Sequence, residues 1–141
     1  MIPDADGMLG VAAGKLMGDI APGMEPGYGQ GSVATISLVM LMSAQEFDKA
    51  ADVRVWENDR MRELLARGGA WSPFDESAAP RRASLQISAL NAEAAPLKAA
   101  LIALHEAVEA DAGADAKALE RDILGFLKES SDRRRLYLPA M

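Results

Sequence analysis

A chain of 141 residues, half of them hydrophobic and carrying a formal charge of −6, is long enough for one domain with a substantial core. Its pI near 4.8 argues against nucleic acid or an anionic membrane surface as a partner. The absence of cysteine removes disulfides, thiol catalysis and thiolate metal sites together.

Alanine is the commonest residue, and with Leu, Glu and Arg it favours helix. Aromatics are scarce and β-branched residues thin, which speaks against a sheet protein. The first residues carry Asp4 and Asp6 where a signal peptide would be basic. A soluble cytoplasmic protein is therefore expected.

The first predicted helix covers about 4–20 and ends at Ala21, Pro22 and Gly23. Leu9, Ala13, Leu16 and Ile20 recur at helical spacing and form one face. Beside them runs a row of Gly7, Gly10, Gly14 and Gly18. Each interior glycine costs a helix about 0.5–1 kcal/mol relative to alanine. The row therefore has two readings: a close helix neighbour, by small-xxx-small logic, or a weak, partly formed helix. On the first reading Gly10, Gly14 and Gly18 are interface candidates.

A Gly- and Pro-rich loop leads to Ser32, a plausible N-cap. From Ser32 to Arg67 there is neither Gly nor Pro, so one helix over about 32–67 is expected. At 1.5 Å per residue it would be about 54 Å long. Its first part, Val33 to Ala44, is nearly all apolar, in every direction around the helix. A helix apolar all round is expected to be surrounded, by its own domain or by a partner chain. Twelve residues are too few to span a bilayer.

The second part, Glu46 to Arg67, is densely charged but keeps a stripe of Phe47, Ala50, Ala51, Val55, Met61 and Leu65. Arg54 and Asn58 fall within that stripe, while Trp56 lies opposite it among charges. Gly68 and Gly69 end the helix.

Ser72, Pro73, Phe74 and Asp75 have the chemistry of one short helical turn, with Trp71 and Phe74 plugging the end of a core. The third helix, about 84–110, carries Ile87, Leu90, Ala94, Leu97, Leu101, Leu104 and Val108 as an a/d seam. Pro96 lies off that seam, so a kinked continuous helix is expected. The fourth helix, about 115–131, turns Ala116, Leu119, Ile123, Phe126 and Leu127 inward. Arg133, Arg134 and Arg135 suit its C-terminal dipole, and Leu136 to Pro139 form a tail able to dock on a neighbour.

No motif for chemistry stands out. Gly27, Gly29, Gly31 and Ser32 sit like a phosphate loop, but no strand precedes them and no Lys enters the helix, so a connector is expected. His105 and Glu109 share a face at i, i+4, yet the chain has no Glu-x-x-His and no second histidine. Neither a metal nor a cofactor is expected.

Arg54 and Asn58 have a structural reading, as polar groups paired to another helix, and a functional one, as anchors in a pocket lined by Met40, Phe47 and Met61. Trp56 on a charged face is a contact candidate. Arg81 and Arg82 precede the third helix and Arg133 to Arg135 follow the fourth, so antiparallel packing would bring both groups to one end.

The expected fold is all-α, a four-helix bundle-like single domain over 1–141. The expected function is that of a non-enzymatic interaction protein: an adaptor, chaperone or oligomeric scaffold, as a homodimer or with a protein partner. In size, acidity and helical pattern it is similar to the small acidic helical chaperones of bacterial secretion and flagellar systems. The alternative is a small-molecule-binding or sensory bundle whose apolar pocket is anchored by Arg54 and Asn58.

Overall fold

The computed structural model describes residues 4–137. Among these the ordered elements are all helical: α1 Ala5–Lys15, α2 Tyr28–Arg67, α3 Ile87–Glu109 and α4 Ala114–Arg134, with short turns between them. The all-α expectation and the long helix are both found. The backbone falls into two compact units, residues 4–49 with 135–137, and residues 50–134.

In the first unit the chain is helical to the expected end near Ile20, but regular α-helical bonding in α1 ends at Lys15. The chain continues as a π-helical turn over Leu16–Ile20 and a 3-10 turn over Ala21–Gly23. Gly14 and Gly18 bracket the change, and their weak helix propensity is a sufficient cause. Gln30 reaches back to tie this connection, its Nε2 donating to the Ala21 carbonyl at 3.0 Å.

Helix α2 begins at Tyr28 rather than Ser32. Ser32 is thus not an N-cap: its hydroxyl lies inside the helix and donates to the Tyr28 carbonyl at 2.9 Å. Once the helix is nucleated, extension back through Gly31 and Gly29 adds one hydrogen bond per residue, which offsets their low helix propensity. Just before the helix, Gly27 adopts φ 158°, a conformation side chains rarely take.

The same unit holds residues 135–137 against α2. Gln45 donates from Nε2 to the Tyr137 carbonyl at 2.8 Å and accepts from the Tyr137 amide at 2.8 Å. Lys49 Nζ donates to the Arg135 carbonyl. The start of the expected docking tail is therefore bound to its own chain, while Leu138 and Pro139 lie outside the described residues.

The second unit is a packed bundle of the C-terminal part of α2 with α3 and α4. Its core joins Met61, Leu64 and Leu65 of α2 to Leu97, Leu101, Leu104 and Val108 of α3 and to Leu119, Ile123 and Phe126 of α4. Asn58 meets Leu90, Arg62 meets Glu93 and Gly68 faces Leu104, so α2 and α3 run parallel. Arg67 meets Asp122 and Glu57 meets Ser130, so α4 runs antiparallel to both.

Helix α3 passes through Pro96 without a break, and Pro96 stays off the buried row, as expected. By length and composition α3 is apolar enough to cross a membrane. Its large apolar residues Leu90, Leu97, Leu101 and Leu104 are instead buried in this core.

Several details differ from the sequence reading. Phe47 is exposed and Val55 half-buried, whereas Val53 and Leu64 are buried, so the inward face of α2 is rotated from the expected stripe. The rotation follows polar residues, because Glu57, Asn58 and Arg62 are drawn inside by partners on α3 and α4. The short turn after α2 spans Glu76–Ala78, capped by Asp75, whose Oδ1 accepts from the Ser77 amide at 2.9 Å. Ser72 is not its cap. Ile87 is exposed at the entry to α3, and Leu127 is exposed on α4.

Candidate functional site

Polar residues enter the second unit along α2, and each is answered by a charge on another element. Asn58 is fully buried and donates from Nδ2 to the Leu90 carbonyl at 3.0 Å and to Glu93 Oε2 at 3.2 Å. Arg62 donates to Glu93 Oε1 from Nη2 at 2.9 Å and to the Ala79 carbonyl at 2.6 Å. Arg82 closes the cluster from the loop, reaching both Asp59 oxygens at 3.0 and 3.1 Å and Glu93 Oε2 at 3.4 Å.

The Glu93 carboxyl sits below its ordinary pKa of 4.5. Burial pushes it up, and the hydrogen bonds from Arg62 and Asn58 with the charge of Arg82 outweigh burial. Asp59 is held low first by its Arg82 hydrogen bonds. One acceptor is left over: Asn58 Oδ1 is buried without a partner among the described residues. With its cations matched to carboxylates, this network is built to hold α2, α3 and the loop together.

A second cluster lies on the α4 side of α2. Glu57 is buried and takes Arg134 Nε and Nη2, each at 2.6 Å, and the Ser130 hydroxyl at 2.6 Å. Burial raises its pKa, while Arg134, Ser130 and the charge of Lys98 bring it below the ordinary value. Trp56, the neighbour of Glu57, is half-buried: the Arg133 guanidinium lies 4.1 Å from its ring centre and Phe126 stacks at 5.6 Å.

The two groups of arginines end in separate pairs. Arg82 and Arg134 end on Asp59 and Glu57, two residues apart on α2, while Arg81 sits 3.5 Å from Asp59 and Arg133 pairs with Glu129. These are intramolecular pairs rather than an open basic patch.

The remaining candidates separate. Arg54 is half-buried, donating to Asn91 Oδ1 at 3.1 Å and to the Ala50 carbonyl at 3.0 Å. Asn58 is packed in the network above. His105 is half-exposed beside the buried row of α3, and among the described residues no group of three His, Asp or Glu gathers as metal ligands. Around Gly10, Gly14 and Gly18 an added Cβ would meet nothing within 4 Å, so no part of the described chain packs closely on that row.

Sequence reasoning missed Glu57, Arg62 and Glu93, the most deeply buried charges among the described residues. Charge alone argued for an outward face, and the one available signal was their complementarity between helices.

The first unit offers the opposite kind of surface. Of residues 4–49 only Ala13 and Ser37 are buried. Val11 is 73% exposed, Ile36 53%, Val39 56% and Phe47 62%. Ser32, Thr35 and Ser37 donate their hydroxyls to carbonyls one turn back. The apolar part of α2 therefore presents hydrocarbon with few groups seeking water. The expectation that it would be surrounded is not met by the described residues of this chain.

Compared with known protein families, curated proteins and solved structures, the chain shows no match.

Proposed function

We propose that the protein is a non-enzymatic helical interaction protein that works as a homodimer, with α1 and the N-terminal part of α2 forming the interface. The observation that carries this reading is the exposure of Val11, Ile36, Val39 and Phe47 on a unit with almost no buried core of its own. Exposed apolar surface of this kind marks interaction sites. A second copy suits it because no charged residue occurs between Glu25 and Glu46, so that stretch of α2 meets its counterpart without like-charge repulsion.

The second unit supports the role by being self-sufficient. Its core is closed by three helices, and its buried charges are paired. A closed core in one unit and exposed hydrocarbon in the other are the surfaces expected of an adaptor or scaffold.

Sedimentation equilibrium over a wide concentration range tests the proposal. A reversible monomer–dimer equilibrium is expected, shifted to monomer by Ile36→Lys with Val39→Lys while the α-helical circular dichroism of the second unit persists. A strictly monomeric wild type, or a double variant that associates unchanged, overturns it.

A further inference from the structure

Between α2, α3 and α4 of the second unit lies a half-open cavity of about 250 Å³. Its inner wall is Met61, Leu101 and Phe126, all buried, and its outer lips are the exposed Ile102 and Leu127. The other lining residues are Glu57, Lys98, Ser130 and Arg134. On each helix the two kinds are displaced by about one turn: Glu57 before Met61, Lys98 before Ile102, and Phe126 before Ser130 and Arg134. Because α2 and α3 run together and α4 runs against them, the polar residues gather at one end and the apolar ones at the other.

The charge beside that end is positive, although the surface of the cavity itself is almost wholly apolar. Glu57 is already taken by Arg134 and Ser130. Lys98 makes no hydrogen bond or ion pair with the described residues and acts on Glu57 only through space. An ammonium beside an apolar slot selects an anion attached to hydrocarbon. The slot follows α4 from Phe126 to Arg134, about 12 Å of helix, and its volume lies below that of sites for drug-sized ligands. These dimensions favour a single linear chain over a ring system.

We infer that this cavity binds an aliphatic carboxylate of medium chain length, the chain lying over Met61, Leu101 and Phe126 and the carboxylate held by Lys98. Ser130 and Arg134 keep Glu57 neutralised, so the carboxylate enters beside a closed ion pair rather than a bare negative charge. Ile102 and Leu127 close over the chain. The inference is independent of self-association, which concerns α1 and the N-terminal part of α2.

Isothermal titration calorimetry of the full chain with decanoate, decylamine and decanol, each below its aggregation concentration, is the test. Decanoate is expected to bind one to one, decanol about tenfold more weakly for want of the charge-assisted hydrogen bond, and decylamine not at all. Lys98→Met should weaken decanoate about tenfold while leaving decanol unchanged. Leu127→Trp, at an exposed position, should fill the slot and abolish binding of both. Absence of saturable decanoate binding, equal binding of decylamine, or a Lys98→Met variant that binds decanoate like the wild type overturns the inference.

Discussion

Arg62 and Glu93 face each other across α2 and α3 with Nη2 and Oε1 at 2.9 Å, their side chains only 5% and 1% exposed. Two charges this dry stabilise the fold only as a pair. Removing one leaves the other desolvated, at a cost of about 3–5 kcal/mol, whereas replacing both by hydrocarbon is often neutral. Glu93→Leu should therefore lower the unfolding free energy by about 3–5 kcal/mol. Arg62→Met added to it should restore most of the loss, even though the Ala79 carbonyl then loses its donor. Urea unfolding of the two single variants and the double variant measures the coupling. Additive losses would mean that the pair does not act as a unit.

The carboxylates also set the acid limit of stability. Glu57, Asp59 and Glu93 all have folded pKa values below their ordinary ones. The unfolded chain then binds protons first as pH falls, so these groups contribute stability that is fully present above the unfolded values of 4.5 for Glu and 3.8 for Asp. It is lost as pH drops through the folded values. The thermal midpoint should be flat near neutrality and fall steeply below about pH 5. Glu57→Gln should start lower at pH 7 and show a shallower acid slope, because one of the groups that titrates differently is gone. A variant whose slope matches the wild type would remove Glu57 from this account.

Two glycines make opposite predictions. A Cβ on Gly68 would sit 2.4 Å from both Leu104 methyls. Gly68→Ala must shift Leu104 and should cost about 1–3 kcal/mol. Around Gly10 an added methyl meets open space, so Gly10→Ala should favour α1 by about 0.5–1 kcal/mol through helix propensity. Differential unfolding and far-ultraviolet circular dichroism separate the two. A Gly10→Ala variant with reduced self-association would place the partner copy directly on the glycine row.

The helices were legible in the sequence because periodicity is local: the seam of α3 and the inner row of α4 are found nearly as spacing predicts. The inward face of α2 was not, since Glu57, Asn58 and Arg62 are turned inward by Ser130, Arg134 and Glu93, residues distant in the chain. Spacing ranks a glutamate as outward, and only a partner on another helix reverses that. Of the candidate site, Asn58 was recognised as polar within a buried face. Its expected companion Arg54 lies instead on Asn91, and the cavity residue Lys98 had no distinguishing pattern.

Trp56 carries the last prediction. It was singled out for a contact surface because it lies among charges, yet its ring is already covered, with Arg133 at 4.1 Å on one side and Phe126 at 5.6 Å. The guanidinium is partly exposed, which places its cation–π contribution near 0.5–1 kcal/mol, and it also pairs with Glu129 at 2.8 Å. Arg133→Ala should therefore lower stability by about 0.5–1 kcal/mol and shift Trp56 emission to the red as water reaches the ring. Trp71, hydrogen-bonded to Asp111 at 2.7 Å, should remain unchanged, so a Trp71→Phe background isolates the signal. Self-association should be unaffected, because the interface proposed above lies on α1 and the N-terminal part of α2. A loss of dimer in Arg133→Ala would instead assign the Trp56 face to the partner.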